Sequence, residues 1–275
     1  MTTQLISQIP FKARIELAQK RQIPLIGSWL MTANPIISEL MATAGFEFLV
    51  VDMEHSPMDV PDMVGMLHAL SGTQGSPVVR LPWSEMVLVK RVLDAGAQTV
   101  MFPFIQNKEE AEAAVSYTRY PPNGVRGVAA MHRGSRFGTF PNFLKDAHKP
   151  LTIILQIETP EALAQLEDIA SVDGVDAIFV GPGDLSTTMG YPGQIGAQPV
   201  QDALKEAAAR CKKMNIPCGI VGADSEMIKT YQSYGYDFVA IASDLALLMN
   251  SAKQAAQTFG TSTLQVTQSQ EKSAY

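Results

Sequence analysis

The stretch FEFLVVDMEHSPMD, residues 46–59, decides the fold. An apolar run from Phe46 to Val51 stops at Asp52, and Glu54 and His55 follow at once. A short run with almost no polar alternation reads as a strand buried on both faces, as in parallel sheets. Seven further stretches repeat the pattern: PLIGSWL (24–30), PVVRL (77–81), QTVMFP (98–103), LTIILQI (151–157), DAIFVG (176–181), IPCGIV (216–221) and DFVAIA (237–242). Helical segments such as NPIISELMATAG, SEMVLVKRVLDAG and KEEAEAAVSYTRY lie between them. Several close on a Gly, which ends a helix just before the next strand. Eight βα units in about 250 residues predict a (β/α)8 TIM barrel of the α/β class. A doubly wound open sheet fits less well, because the first βα turn lacks a Gly-rich phosphate fingerprint.

Composition narrows the function classes. The chain has 275 residues, 46% apolar and 17% charged, with a net charge of −6. That is globular material with enough apolar surface for a core. No basic cluster suited to a phosphate backbone is present, so nucleic acid is not the expected partner. No apolar run approaches the roughly 18 residues of a membrane span. The segment MTTQLISQIPFKAR lacks the apolar region of a secretory signal. Cys211 and Cys218 fit neither a disulfide framework nor a zinc spacing. A cytoplasmic protein is expected, with one barrel domain over residues 1–260 and a polar tail over 261–275.

Two spans break the βα rhythm. Residues 121–150 carry Arg126, His132, Arg133 and Arg136 among glycines, and residues 184–199 carry DLSTTMGYPGQIGAQP. Loops this long are usually functional. Both are expected to follow strands, at the barrel face where active sites form.

The ionisable residues at strand ends are Asp52, Glu54 and His55, then Arg80, then Gln156 and Glu158, then Asp184. In a barrel they ring one mouth. Glu158 and Asp184 are hard oxygen ligands suited to Mg²⁺ or Mn²⁺. Taken singly, Glu158 could equally be a first-turn acid of the helix opened by Thr159-Pro160, and Asp184 a turn residue in GPGD. His55 suits proton transfer near neutral pH. Arg80 suits an oxyanion or a substrate carboxylate, or else simply pairs with an acid. The set fits enolate chemistry on a 2-oxo acid. A Schiff-base route would need a lysine at a strand end, and Lys12, Lys20, Lys90 and Lys108 all fall in helices or loops.

The runs GSWL…ISELMATAGFEFLVVDMEHSP, PVVRLPW, VLDAGAQTVMFPFIQN, YPPNGVRGV, LQIETPEAL, GVDAIFVGPGDLSTTMGYPG and FVAIASDLALL resemble the HpcH/HpaI aldolase family, from about Gly27 to Phe259. These are metal-dependent class II pyruvate aldolases. The resemblance implies a barrel whose last helix is exchanged between subunits of a homohexamer, a trimer of dimers. It implies reversible cleavage of a 4-hydroxy-2-oxo acid into pyruvate and a small aldehyde, through a metal-stabilised enolate. The cofactor it implies is a divalent cation (Mg²⁺, Mn²⁺ or Co²⁺) held by Glu158 and Asp184. His55 is implied as the acid/base acting through a metal-bound water, and Arg80 as the stabiliser of the enolate oxyanion. Gln156 and the backbone at Gly183 and Asp184 would hold pyruvate. Asp94, in VLDAG, would raise the basicity of the histidine, and Trp29 would line the pocket mouth. His132 and Phe137 would lie in a loop that helps choose the aldehyde. Relatives often carry Asp-Gly or a small residue before the acid-His pair, where this chain has Asp52-Met53. Two rival readings are a lyase acting on a CoA thioester, which needs a basic groove, and a binding barrel without catalysis, which needs a missing ligand or base.

Overall fold

The computed structural model describes residues 9–222 and 224–259; the tail expected over 261–275 lies outside them. Eight strands form a closed, wholly parallel barrel in sequential order. They are β1 (Leu25–Leu30), β2 (Phe48–Asp52), β3 (Ser76–Arg80), β4 (Thr99–Phe102), β5 (Thr152–Ile157), β6 (Ala177–Val180), β7 (Cys218–Val221) and β8 (Phe238–Ser243). The fold class predicted from the apolar runs is the one observed.

The helices are α1 (Phe11–Arg21), α2 (Pro35–Thr43), α3 (Val60–Leu70), α4 (Met86–Asp94), α5 (Lys108–Thr118), α6 (Phe143–Asp146), α7 (Pro160–Ala164) and α8 (Leu166–Ala170). They continue as α9 (Pro182–Thr188), α10 (Gln198–Met214), α11 (Ser225–Tyr234) and α12 (Asp244–Phe259). Local chemistry fixes many of their starts. Asn34, Asp59, Glu85, Asn107, Thr159 and Asp224 accept hydrogen bonds from first-turn amides, which satisfies donors a helix otherwise leaves open.

The period of two along each strand splits the core into two shells. Leu49, Val51 and Met53 pack outward with the helices, whereas Phe48 and Val50 point into the barrel with Val78, Met101, Ile154 and Phe179. Met53 therefore points away from the barrel interior. Gly27 and Gly219 leave room for the rings of Phe48 and Phe238, because a Cβ at either would sit 2.4 Å or 2.1 Å from a ring carbon. Helix α1, which precedes the first strand, plugs the floor. Phe11 meets Phe48 and Phe238 edge-on at 5.5 and 5.3 Å.

Two expectations are corrected. The span 121–150 does not follow a strand. Strand β4 hands directly to α5, and the span joins the end of α5 to the start of β5, with a 3₁₀ turn at Arg133–Ser135 and α6 inside it. It therefore lies at the amino-terminal face of the strands, against Leu93 and Gly96. The span 184–199 opens not as a loop but inside α9, because Pro182 at the first helical position suits a helix start.

Helix α12 has only Asp244 buried and leaves Leu245, Leu247, Leu248 and Met249 exposed. Asp244 itself accepts from Met31 N at 2.8 Å and Thr32 Oγ1 at 2.6 Å, tying the end of β8 to the end of β1. Among the described residues no helix is long and apolar enough to cross a membrane.

Candidate active site

The inward row of each strand changes character at its carboxyl end. Along β2 the row runs Phe48, Val50, Asp52, and in the sheet register Asp52 stands opposite Arg80 of β3. Continuing the inward parity of Ile154 along β5 gives Gln156, then Glu158 just past the strand. Asp52, Arg80, Gln156 and Glu158 are all buried, with Asp52 fully so. One parity rule thus carries charged groups to the mouth of an otherwise apolar barrel.

Arg80 is the most constrained of these groups. Its Nε and Nη2 donate to the two oxygens of Asp52 at 2.9 and 2.8 Å. Its Nη1 lies 2.9 Å from Glu54 Oε2, and its guanidinium lies over the Trp29 ring at 4.2 Å. A guanidinium has five N–H donors; Asp52 takes two of them, and the Nη1–Glu54 contact is an ion pair that leaves Glu54 Oε2 without a hydrogen-bond partner. Asp52 also accepts from the backbone N–H of Glu54 at 3.0 Å and of His55 at 3.4 Å, which shapes the turn that presents His55.

On the facing side, Glu158 is 2% exposed. Its Oε1 accepts from Phe104 N at 2.9 Å and its Oε2 from Gln156 Nε2 at 2.7 Å. Gly181 is required beside it, since a Cβ there would lie 2.4 Å from Glu158 Oε2. Burial, offset by the Gln156 hydrogen bond and reinforced by Asp184 and Glu54, pushes the Glu158 carboxyl up to about 7. Burial also raises Glu54, against the pull of Arg80.

Trp29, Arg80, Gln156, Glu158, Gly183 and Asp184 line one cavity at the mouth. Asp184 stands exposed in the first turn of α9. His55 lies at the rim beside Glu54, with Nε2 3.8 Å from Glu54 Oε1 and a side chain 46% exposed. Asp94 is not at this mouth. It ends α4, which returns from β3 to the opposite face, and there it accepts from Arg126 Nη2 at 2.7 Å and lies 3.5 Å from His132 Nε2. Within one chain, Asp94 cannot act on His55. Asp52 and Glu54 are the site residues to which the sequence assigned no definite role; for Asp52 the contact is with Arg80. The available signal was the place of Asp52 one register step from Arg80 on neighbouring inward rows.

Among the described residues, no three His, Cys, Asp or Glu side chains are grouped to hold a metal. Glu158 and Asp184 are instead a two-carboxylate set. Gln156 Oε1 is buried beside them without a hydrogen-bond partner. Two carboxylates on one wall, one of them pushed up mainly by burial and further by its acidic neighbour, with a spare oxygen nearby, fit a hard divalent cation that keeps open positions. Among the described residues no lysine lines the mouth.

An eight-stranded parallel barrel with its polar groups gathered at the strands' carboxyl ends is the architecture of a (β/α)8-barrel enzyme. The family model for HpcH/HpaI aldolase/citrate lyase matches residues 25–251. The chain is 46% identical over 235 residues to 2-dehydro-3,6-dideoxy-6-sulfogluconate aldolase of Pseudomonas putida, covering 86% of this chain and 92% of that one. It is 41% identical over 249 residues to 5-keto-4-deoxy-D-glucarate aldolase of Salmonella arizonae, covering 90% and 97%. A crystal structure of a family protein from Burkholderia cenocepacia superposes with a TM-score of 0.84 at 36% identity, covering 90% of this chain and 99% of that one. The chain belongs to the HpcH/HpaI aldolase/citrate lyase family and is an enzyme, a carbon–carbon lyase.

Proposed function

We propose that the chain is a divalent-metal-dependent aldolase that reversibly cleaves a 4-hydroxy-2-oxo acid into pyruvate and an aldehyde. The observation that carries this reading is the shared mouth: Arg80 lies on one side and the Glu158–Asp184 pair on the other, with no lysine among the described lining residues. Glu158 and Asp184 would hold the cation, which when bound polarises the oxo group and offsets charge that develops on it. Arg80 keeps N–H donors on Nη1 and Nη2 for that oxygen, in a fork held by Asp52 and ion-paired with Glu54, so little reorganisation is needed when charge appears. Gln156 and the backbone at Gly183 and Asp184 hold the pyruvate end, with Trp29 as the apolar wall. His55 at the rim moves the proton of the C4 hydroxyl. Asp94 could assist only the His55 of a neighbouring copy, which agrees with the expected homo-oligomer.

Both relatives named above act on six-carbon sugar acids with a second acid group, a sulfonate in one and a carboxylate in the other. An aldehyde that carries an anionic end is therefore the acceptor class we favour. The CoA-thioester reading loses its support. Its only basic groove was the arginine-rich span, which lies at the opposite face of this chain.

Exchange of pyruvate methyl protons in deuterated water tests the reading. Exchange is expected with Mn²⁺ or Mg²⁺ and is expected to stop with EDTA. Exchange that persists in EDTA, or never occurs, would reject it. Metal-dependent pyruvate binding without exchange would favour the non-catalytic barrel.

A further inference from the structure

The arginine-rich span is unused by this chemistry, yet it builds a second cavity. Arg126, Arg133 and Arg136 share its wall with Phe137, Phe140 and Phe143, and among the described residues that wall carries no carboxylate. Each guanidinium is placed by separate contacts. Arg126 is 2% exposed, donates to Asp94 outside the wall, lies over the Tyr120 ring at 4.7 Å, and keeps a buried Nε with no partner. Arg133 donates to the Ala95 carbonyl at 3.1 Å and packs under Gly96. Arg136 lies 5.8 Å from the Phe140 ring.

The backbone is strained to make this arrangement. Arg136, Phe137 and Asn142 all hold positive φ, at 51°, 54° and 54°. Non-glycine residues in that region carry a conformational cost and gather at functional sites. Three guanidiniums against one carboxylate, in a protein of net charge −6, make a local positive field with aromatic walls.

We propose that this cavity binds an anionic group, a carboxylate, sulfonate or phosphate, between Arg133 and Arg136. Planar guanidinium forks match all three groups. Among the described residues Arg80 is the only cation in the mouth lining, and it is already held by two acids. The anionic end of the favoured acceptor therefore has no partner there. The bound group has two possible sources: a free small anion, or the far end of a substrate seated in the mouth of an adjoining copy. Only the second source rests on the aldolase reading.

Titration calorimetry of inorganic phosphate and sulfate into the full chain tests the first source. Saturable binding is expected, weakened tenfold or more in R133A/R136A and in R136Q, with pyruvate methyl exchange unchanged. Arg136 is exposed, so R136Q keeps the fold even if the double variant does not. The second source is read from kcat/KM for cleavage of an acid-ended against a neutral-ended 4-hydroxy-2-oxo acid. That ratio is expected to fall tenfold or more in R136Q. Anion binding that is equal in wild type and R136Q overturns the proposal. So does the absence of free-anion binding together with an unchanged ratio. If wild type cleaves neither substrate, the aldolase reading fails, and calorimetry alone decides the cavity.

Discussion

Asp52 shows why single residues at a strand end are hard to read. The sequence places three ionisable groups together after FEFLVV but does not say which of them faces inward. That depends on register against β3, which only the sheet supplies. His55, Arg80 and Glu158 stand out in the sequence as candidates because their chemistry is distinctive. Asp52 does not, because its work is to hold another side chain. Removing it leaves Arg80 buried with Glu54 as its remaining acid. D52A is expected to cost about 3 kcal/mol or more of stability, as for one-sided loss of a buried pair, and urea unfolding would measure it. R80A is expected to reduce kcat on the order of 10² to 10³, the usual cost of an oxyanion donor. Equal turnover in R80A and wild type would remove Arg80 from the reaction.

Glu158 yields a pH-dependent expectation. With no cation bound, the folded carboxyl titrates near 7 against an ordinary 4.5. The folded state thus holds this proton more tightly than the unfolded state does. Its contribution to stability is present at low pH and is lost as pH rises through that interval. E158Q removes the ionisation, so EDTA-treated E158Q should melt above wild type at pH 8, a gap that closes toward about pH 5. A lower melting temperature for E158Q at pH 8 would contradict this account.

At the scale of elements, the turn from β6 into α9 is the instructive case. GPGD reads locally as a turn, yet Pro182 opens a helix and puts Asp184 in its first turn. The strands were legible almost to the residue because each is buried on both faces. The span 121–150 was misplaced because its length suggested a mouth loop, whereas order along the chain fixes it after α5. Gly181 is where the β6–α9 element meets the chemistry. G181A should keep the fold but displace Glu158, whose Oε2 lies where the new methyl must go. A fall of tenfold or more in Mn²⁺ affinity by calorimetry, with far-UV circular dichroism unchanged, is expected.

At the scale of the molecule, α12 is a helix with an apolar face and little of its own barrel to cover it. Leu245, Leu247, Leu248 and Met249 are exposed on it, the residues that the expected exchange of this helix between subunits would cover. Sedimentation is expected to report a multiple of the 29.8 kDa chain, and L247E/L248E should shift it toward the monomer. A wild-type monomer at micromolar concentration would rule out that assembly. The opposite end of the barrel carries a different lesson. Among the described residues α1 and the rings of Phe11, Phe48 and Phe238 pack across the floor, and the buried Asp52–Arg80 pair faces the mouth cavity beside Trp29. The guanidinium protons of Arg80 should therefore exchange with water far more slowly than those of surface arginines. That would leave Arg80 as a sharp side-chain resonance in nitrogen-detected NMR, a spectroscopic probe built into the mouth that would register the arrival of pyruvate before any bond is broken.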